Sequence, residues 1–399
     1  MTDHARPGRS WNLDELAAVA GESPEQLRWY ADAGMLHLEA PDVFAPDSPQ
    51  RLRLIRHAHR RGITDEDLAV AIKEQGDLLG VFDELVPGDV TRQSLLDAAD
   101  AADIPTRLRD VLLDTLGIDE DDPATTDDLA ALEILSQALQ LGLPEDALIQ
   151  MVRVFTDTMS RLADAEVRIF HDYVHEQFRA QGLTGPELLG ATESVSKPAL
   201  GLVEPAVLYF HRRAFQKSNR DDMLRHLAEA TTPPQRPGEA IVTVMFVDLA
   251  GFTPLTVALG DSGVAEVLQR FASTIRREAD NAAGRIIKQI GDAFMLVFDR
   301  PDDAVAFGLT VMSACEDDPD LPLLHVGAHH GPLLYRDGDY YGNAVNLAAR
   351  VTSASDAGQF LVTEDLADAA GAVGATLEPI PQRPLKGVAE PPNLLEVHR

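Results

Sequence analysis

The stretch that most constrains the fold of this chain is a largely apolar run, Ile241 to Val247, which ends at an acidic residue, Asp248. The run is too short to cross a membrane and suits a strand buried on both faces better than a helix. The chain then turns through Ala250 to Thr253. A carboxylate at the end of such a strand, followed by a turn whose amides point outward, can hold a divalent cation against phosphate. Many strands also end at a solvated Asp, so the same residues fit an ordinary turn as well.

Charge and cysteine content exclude several classes of protein. The 399 residues are enough for two or three domains, and a formal net charge of -31 argues against nucleic acid or an anionic membrane as the main partner. The single cysteine, Cys315, excludes an intramolecular disulfide and fits a reducing compartment. No segment has the length and apolarity of a membrane span. We therefore expect a soluble, cytoplasmic protein without membrane insertion.

The chain divides by composition into a helical first part, a proline-rich boundary and a mixed last part. Helical periodicity runs through residues 1–230, where Ser10 and Ser23 are expected to cap helices and Pro205 to Leu227 to form one long helix. Three prolines and a glycine in residues 231–238 cannot continue that helix. We predict an all-helical regulatory domain at 1–230, a linker at 231–238 and a second domain at 239–399.

One part of the helical region favours a different function. Trp11 to Leu36 reads as a helix, a glycine turn and a second helix, as in a helix-turn-helix motif. Five arginines follow it, at positions 51, 53, 56, 60 and 61. Acidic residues surround this patch, whereas specific DNA binding needs an unbroken positive surface. A solvated helix face is the simpler interpretation, and DNA binding stays the alternative.

Beyond the linker, strand and helix signals alternate. After the opening strand the pattern predicts a helix at Ser262–Ala283, a hairpin at Arg285–Phe298, a helix at Asp302–Cys315, a strand at Leu323–Ala328, an aromatic arm at Tyr335–Tyr341, a helix capped by Asn343, and closing strands at 359–363, 375–380 and 393–398. This order is that of a split βαβ (ferredoxin-like or palm-like) domain, with helices on one face of a mostly antiparallel sheet. The fold class is therefore α+β, preceded by an all-α domain.

A second acid occupies a comparable place in the predicted hairpin. Asp292 follows Gly291 at the turn, and a Gly-Asp turn is common without any function. Two acids at neighbouring strand ends can nevertheless bridge two cations ~4 Å apart, which is the arrangement used for in-line phosphoryl transfer. Asp248 and Asp292 are therefore candidate ligands for a pair of metal ions.

Four more polar side chains are candidates for nucleotide recognition. Lys288 interrupts an apolar strand, where it could also be an edge residue that opposes aggregation, and Asp339 lies in a turn. A Lys and an Asp together can read adenine, whereas guanine would need donors and acceptors exchanged. Asn346 and Arg350 are one helical turn apart, as in many exposed polar stripes. The Arg could stabilise charge on a pentacovalent phosphate and the Asn could orient the sugar.

The combination of these motifs resembles the signature of the class III nucleotide cyclases. The matching residues are Phe246 to Thr253, Lys288, Gly291-Asp292, Asp339, Asn346 and Arg350, in the family's order and at similar spacing. The resemblance covers about Ala240 to Arg399. The layout as a whole also resembles the actinobacterial adenylate cyclases that carry an autoinhibitory, pH-responsive N-terminal domain.

The resemblance implies a role for each matching position. Asp248 and Asp292 would hold two Mg²⁺ or Mn²⁺ ions per active site, Lys288 and Asp339 would select adenine, and Asn346 and Arg350 would act in the transition state. The backbone of Ala250, Gly251, Phe252 and Thr253 would contact the phosphates, with Arg336 and Lys386 as further candidate phosphate ligands. Tyr341 stands where many relatives have Trp, and the loop before Asp339 is short. These departures affect the adenine pocket more than the metal site.

The resemblance also implies a partner and a product. The family places the metal acids of a protomer in one active site and its Lys, Asp, Asn and Arg in the other. A head-to-tail homodimer would therefore carry two sites, and a monomer none. The substrate would be ATP and the products 3′,5′-cyclic AMP and pyrophosphate. A domain that binds nucleotide without catalysis is the alternative within this family.

Histidines in the first part of the chain suggest how the enzyme is regulated. They include His57 and His59, His171 and His175, which are one helical turn apart, and His211 and His226. Solvated helix residues are the simpler interpretation, and a metal pair at 171 and 175 lacks a visible third ligand. Because histidine titrates near neutral pH, our hypothesis is that acidification releases a restraint that this region imposes on the catalytic pair.

Overall fold

The computed structural model describes residues 10–77, 79, 90–118, 123–228, 238–371 and 374–399. The chain divides into two compact units, Met1–Ala228 and Glu229–Arg399. Of the predicted linker 231–238, all but Gly238 lies outside the described residues. In the described residues, no helix is long and apolar enough to cross a membrane.

The first unit is built mainly from helices, which short strands interrupt. Its elements are β1 (Trp11–Asn12), α1 (Leu13–Ala20), α2 (Pro24–Asp32), β2 (Leu38–Ala40), β3 (Val43–Phe44), α3 (Ser48–Arg60), α4 (Asp65–Gln75), β4 (Val90–Ser94), α5 (Leu95–Ala101), α6 (Thr106–Leu116), β5 (Pro123–Thr125), α7 (Thr126–Gln140), α8 (Glu145–Phe170), a π-helical turn (His171–His175), α9 (Glu176–Ala180) and α10 (Gly185–Ala228). The expectation of a purely helical unit therefore needs correction, because β1, β3 and β2 form one small sheet and β4 and β5 another.

Side-chain caps explain where several of these helices begin. The Ser23 hydroxyl accepts a hydrogen bond of 3.1 Å from the Gln26 amide at the start of α2, as the sequence predicts. Asn12, not Ser10, caps α1, since its side chain accepts a 2.8 Å bond from the Glu15 amide. The backbone at Ser10 and Trp11 instead leads into β1 and its pairing with β3.

The long helix predicted at Pro205–Leu227 is part of a longer one. Helix α10 starts at Gly185 and includes both Pro198 and Pro205. Helix α8, the π-helical turn and α9 lead into it, and both α9 and the turn pack against α10.

The second unit is an α+β domain around one large sheet. Its elements are β6 (Glu239–Leu249), α11 (Phe252–Asn281), β7 (Arg285–Ile290), β8 (Ala293–Phe298), α12 (Pro301–Glu316), β9 (Leu324–Arg336), β10 (Asp339–Tyr341), α13 (Asn343–Ala354), β11 (Gln359–Thr363), α14 (Glu364–Ala369), β12 (Thr376–Pro379) and β13 (Leu394–His398). The strand order is β12-β13-β11-β9-β6-β8-β7, with β10 paired to β9. Within it, β9-β6-β8-β7 is the four-strand order of a split βαβ domain, as predicted.

Helices cover both faces of this sheet, not one face as the sequence suggested. Met245 and Val247 of β6 pack with Phe271 of α11. The alternate residue Val244 packs with Ala348 of α13 on the opposite face. Helix α13 lies there because it connects β9 to the parallel strand β11. Such a crossover has to pass over a face of the sheet.

Three element boundaries near the motifs differ from the predicted ones. Helix α11 begins at Phe252 instead of Ser262 and bends at Gly260, where φ is 67° and ψ is 176°. Strand β9 continues to Arg336, well past the predicted end at Ala328. Gly342 occupies the cap position of α13, so that Asn343 is its first helical residue.

Candidate active site

The first candidate metal ligand, Asp248, lies one residue before the end of β6. Its Cα pairs with that of Ala293 on β8 and with that of His325 on β9. Gly251 then adopts a left-handed conformation with φ of 67°, and α11 begins at the next residue. The Ala250 amide donates a 2.8 Å hydrogen bond to the Leu323 carbonyl and fixes the start of the turn. Amides in the first turn of a helix have no intrahelical acceptor, so Phe252 and Thr253 offer donors to a phosphate.

The second candidate ligand, Asp292, is brought to Asp248 by the β7–β8 hairpin. Gly291 turns the chain with φ of 62°, a conformation that suits glycine. Burial raises the pKa of the Asp248 carboxyl above its usual value, and the negative charge of Asp292 raises it further. Asp248 Oδ1 is buried and has no hydrogen-bond partner among the described residues. A buried acceptor beside a second carboxylate is an environment that a divalent cation would satisfy.

The two carboxylates supply only part of a coordination shell. The described residues contain no group of three or more His, Cys, Asp or Glu side chains that could hold a metal ion. Mg²⁺ is commonly held by one or two carboxylates together with substrate phosphates and water. The donor set therefore fits hard cations that arrive with a nucleotide better than a closed structural site.

The two candidate adenine-reading side chains form an ion pair. Lys288 Nζ bonds to Asp339 Oδ2, with both side chains partly exposed. The other oxygen, Asp339 Oδ1, accepts a 2.8 Å hydrogen bond from the Tyr340 amide, which fixes the carboxylate at the start of β10. On β7, the register shifts between Ile286 and Lys288, as at a β-bulge, so the hairpin is distorted where Lys288 leaves it.

Asn346 and Arg350 lie on the exposed side of α13, whose other side is buried. Leu347 and Val351 pack in an apolar cluster on the inner side. The helix approaches β9 so closely that a Cβ on Gly327 would lie 2.2 Å from the Thr352 amide nitrogen. Glycine is therefore required at that position of β9 for the helix to lie where it does.

The two candidate phosphate ligands, Arg336 and Lys386, lie in different parts of the second unit. Arg336 ends β9, opposite Asp339 in the β9–β10 pairing, and lies 3.8 Å from Asp337. Lys386 is exposed in a turn, but its neighbour Leu385 is buried against Leu347 of α13. Lys386 is thereby held on the same side of the domain as α13.

Within one protomer, the structure joins the candidates into separate groups. Asp248 lies with Asp292 and Lys288 with Asp339, while Asn346 and Arg350 share a helix face. No hydrogen bond or ion pair between described residues connects these three groups.

The motif comparison missed one residue at the site, His325. It lies directly opposite Asp248 across the β6–β9 ladder, and its charge opposes the rise in the Asp248 pKa. Its Nδ1 lies 2.8 Å from the Ser355 carbonyl at the end of α13. Only the strand register reveals this neighbour, because 77 residues of sequence separate the two positions.

Three of the five arginines near the helix-turn-helix-like segment, Arg51, Arg53 and Arg56, make internal contacts. Helices α1 and α2 do flank a turn at Gly21, as predicted. Arg51, however, is fully buried and pairs with Asp47 at 2.6 Å and Asp77 at 2.7 Å. Arg53 bonds to the Pro123 carbonyl. These arginines stabilise the unit and do not offer a free positive surface.

Comparison with known proteins places the site in a family. Residues 235–391 match the adenylate and guanylate cyclase catalytic domain. A pH-sensitive adenylate cyclase of Mycobacterium tuberculosis is 26% identical over 93% of this chain and 87% of its own length. An adenylate cyclase of Streptomyces coelicolor is 27% identical over 71% of this chain and 73% of its own length. Among solved structures, the adenylyl cyclase CyaB from P. aeruginosa is 23% identical over 40% of this chain and 95% of its own, with a TM-score of 0.38. Residues 235–391 therefore form an adenylate and guanylate cyclase catalytic domain, in a chain that is similar to actinobacterial adenylate cyclases over most of its length.

Proposed function

We propose that the chain converts ATP to 3′,5′-cyclic AMP and pyrophosphate. The observation that carries the proposal is the Asp248–Asp292 pair with its unsatisfied buried oxygen, in a domain that matches the cyclase family. Two relatives that align with 93% and 71% of this chain are named adenylate cyclases, which favours ATP over GTP. A lysine donor and a carboxylate acceptor in the position of Lys288 and Asp339 also suit adenine.

Two divalent metal ions are part of the proposal, and the Asp248–Asp292 donor set supports them. Asp248 and Asp292 would hold two Mg²⁺ or Mn²⁺ ions, which would stabilise negative charge on the reacting phosphates. The amides of Ala250 to Thr253 would then bind phosphate oxygens at the start of α11. Lys386 and Arg336 would be further cations that bind the triphosphate. Lys386 is held near α13 by its buried neighbour, and Arg336 lies opposite Asp339 in the β9–β10 pairing.

The reaction needs one bond formed and one broken at the α-phosphorus. The 3′-oxygen of the ribose forms a bond to the α-phosphorus and passes its proton to water or to a substrate phosphate, while the bond from the α-phosphorus to the oxygen that bridges it to the β-phosphorus breaks and releases pyrophosphate. Asn346 would orient the ribose, and the Arg350 guanidinium would stabilise charge on the pentacovalent phosphate. Both side chains are exposed on α13 and free to face a nucleotide.

A head-to-tail homodimer is part of the proposal. Within one protomer, no contact between described residues joins the Asp248–Asp292 pair to the Lys288–Asp339 pair or to the exposed residues of α13. A second copy that supplies the missing group to each half would complete two equivalent sites. This arrangement agrees with the family resemblance.

The test of the activity is ATP turnover with Mn²⁺, for the wild type and for Asp248→Ala. We expect the substitution to abolish cyclic AMP production and to remove Mn²⁺ binding in a calorimetric titration. Asp368→Ala, which removes an exposed acid on α14, is the matched control and should change neither. Undiminished turnover in Asp248→Ala would refute the assignment.

We further infer that residues 1–230 restrain the catalytic dimer at neutral pH and release it in acid. The support is the relative whose name describes pH sensitivity, which aligns with both parts of this chain. Cyclase rates at about pH 6 and about pH 8, with and without residues 1–233, test this control. An equal rate and an equal pH dependence in the two proteins would rule it out.

A further inference from the structure

One arginine of the second unit, Arg383, forms two hydrogen bonds that the proposed reaction does not use. Its Nη1 donates to the carbonyl of Ala354, the last residue of α13, and its Nη2 donates to Asp356 Oδ2 at 3.0 Å. The carbonyls in the last turn of a helix have no intrahelical donor, and a cation beside them also meets the negative end of the helix dipole. Arg383 therefore caps α13 from a segment outside that helix.

The two acceptors fix the orientation of the guanidinium. A planar guanidinium presents its N–H groups as a rigid fork, so that one side chain can bond to a helix carbonyl and to a carboxylate at once. Asp356 is itself held in place, because its amide donates to Gln359 Oε1 at 3.0 Å and its carbonyl accepts from the Gln359 amide at 2.9 Å. The fork thereby joins the end of α13 and the turn after it to the segment that carries Arg383.

That segment, residues 380–388, packs on α13 and also carries Lys386. It contributes three apolar side chains to the cluster on the inner side of the helix: Ile380, Leu385 and Val388. Lys386 is exposed and forms no hydrogen bond or ion pair with another described residue. It follows directly on the buried Leu385 and lies three residues from the Arg383 fork. Its backbone is therefore fixed while its ammonium is available to an anion.

We propose that Arg383 is a positioning residue that holds Lys386 at a fixed distance from Arg350, so that one triphosphate can contact both cations. Arg350 lies one helical turn before Ala354, whose carbonyl the fork binds. A segment that is fastened to the end of a helix keeps its distance from the side chains along that helix. Without the fork, apolar contacts would hold the segment, and these are non-directional. The inference rests on the proposed function, in which both cations serve the triphosphate.

The test is a double-mutant cycle in the intact protein, with the dissociation constant of inorganic pyrophosphate measured by calorimetry in the presence of Mn²⁺. Arg383→Met and Lys386→Met should each weaken binding about tenfold, since both remove the same contact to the anion. The double variant should bind no more weakly than Lys386→Met, because no cation is then left to position. A loss of about a hundredfold in the double variant would reveal two independent effects and overturn the proposal.

Three further variants separate positioning from charge. Arg383→Lys keeps the charge without the fork, so it should bind pyrophosphate as weakly as Arg383→Met; restored binding would overturn the positioning role. Asp356→Asn is a milder change that removes one charged acceptor of the fork, and it should weaken binding only where Lys386 is present. Arg270→Met removes an exposed arginine that lies 3.4 Å from Asp318, and as the matched control it should bind as the wild type does.

Adenosine binding and cyclase rates separate this inference from the proposed function. Adenosine carries no phosphate, so its affinity should be the same in all these variants, and an equal loss of adenosine and pyrophosphate binding would overturn the inference. If the wild type makes no cyclic AMP while the cycle is non-additive, Arg383 keeps its role and the proposed activity fails. If the wild type makes cyclic AMP and Lys386→Met binds pyrophosphate normally, the activity stands and the inference fails.

Discussion

At the scale of single residues, the proposed chemistry depends on a carboxylate that the fold holds in unfavourable surroundings. Asp248 is partly buried, faces Asp292, and keeps one oxygen without a partner among the described residues. Such an arrangement lowers the stability of the folded protein, and proteins keep it at positions where a bound cation offsets that loss. The site therefore predicts opposite effects of one substitution on stability and on metal binding.

Asp248→Asn should stabilise the metal-free fold at neutral pH. Because the folded state raises the pKa of Asp248, the wild type loses stability as pH rises through that raised value, and the amide does not. We expect the unfolding midpoint of the C-terminal unit to rise by roughly 2–4 °C near pH 7.5 and the difference to vanish at about pH 3. Mn²⁺ should raise the midpoint of the wild type alone. An equal shift by Mn²⁺ in both proteins would contradict the metal role.

Lys288→Glu should exchange the hydrogen-bonding character of the base-reading pair. A carboxylate there cannot donate to an adenine ring nitrogen, but it can accept from guanine. We expect kcat/KM for ATP to fall about a hundredfold and the ratio of GTP to ATP turnover to rise. Mn²⁺ binding, which depends on other side chains, should be unchanged. An unaltered preference for ATP would show that the base is read elsewhere.

At the scale of elements, close packing of α13 on β9 determines where Asn346 and Arg350 point. Thr352 bonds to the Ala348 carbonyl at 2.9 Å and lies 3.3 Å from the Gly327 carbonyl, which fixes the helix on the strand. Any displacement of α13 would therefore move both exposed side chains together.

Gly327→Ala should destabilise the domain and reduce activity. The added Cβ would overlap the Thr352 backbone, which cannot move without lifting α13. We expect a loss of about 1–3 kcal/mol in the free energy of unfolding, measured by urea denaturation. Gly371→Ala, where the nearest atom is at an ordinary distance of 3.4 Å, is the matched control. Equal effects of the two substitutions would contradict this packing argument.

Strand β9 should also make the domain sensitive to acid. Burial lowers the pKa of His329 and of His330, so the folded state favours their neutral forms. Their stabilising effect is complete above the ordinary histidine pKa of about 6.5 and is lost as pH falls below it. In His330→Gln, thermal stability should decline less between about pH 7 and about pH 5. His398→Gln, at an exposed position, should decline as the wild type does.

The elements also show what sequence reasoning can and cannot reach. The hairpin turn at Gly291-Asp292 and the strand 359–363 were predicted correctly. A Gly-Asp pair between two apolar runs marks the turn, and a short apolar run marks the strand. The early start of α11 was missed because Gly260 breaks its periodicity with a bend. The side of the sheet that α13 covers, and the position of His325 beside Asp248, depend on strand order and register, which no local pattern contains.

At the scale of the whole molecule, the proposed function requires two chains. The six motif residues and their division between two sites are proposed from the sequence and its resemblance to the family, and in three dimensions the described residues show no contact between the groups. A strongly negative chain must also bring two copies together, so we expect pairing to strengthen with salt.

Mixing two inactive variants tests the shared sites. Asp292→Ala removes a metal acid and Arg350→Ala a transition-state cation, and each alone should reduce cyclic AMP production by about a thousandfold or more. Mixed chains should regain activity, because one of the two sites in each mixed dimer is then intact. Asp292→Ala mixed with Asp248→Ala is the matched control and should stay inactive. No recovery in the first mixture, although the chains pair, would exclude sites that span the dimer.

The ion pair between Lys288 and Asp339 has a consequence for how ligands compete. Because the ammonium and the carboxylate already bond to each other, an incoming nucleobase must break that ion pair before it can form its own hydrogen bonds with them. A ligand with only a base and a sugar has little else to offset that exchange, whereas a triphosphate brings several further contacts. Adenosine should therefore be a weak inhibitor, and most of the discrimination between nucleobases should be visible only in molecules that carry the phosphate chain.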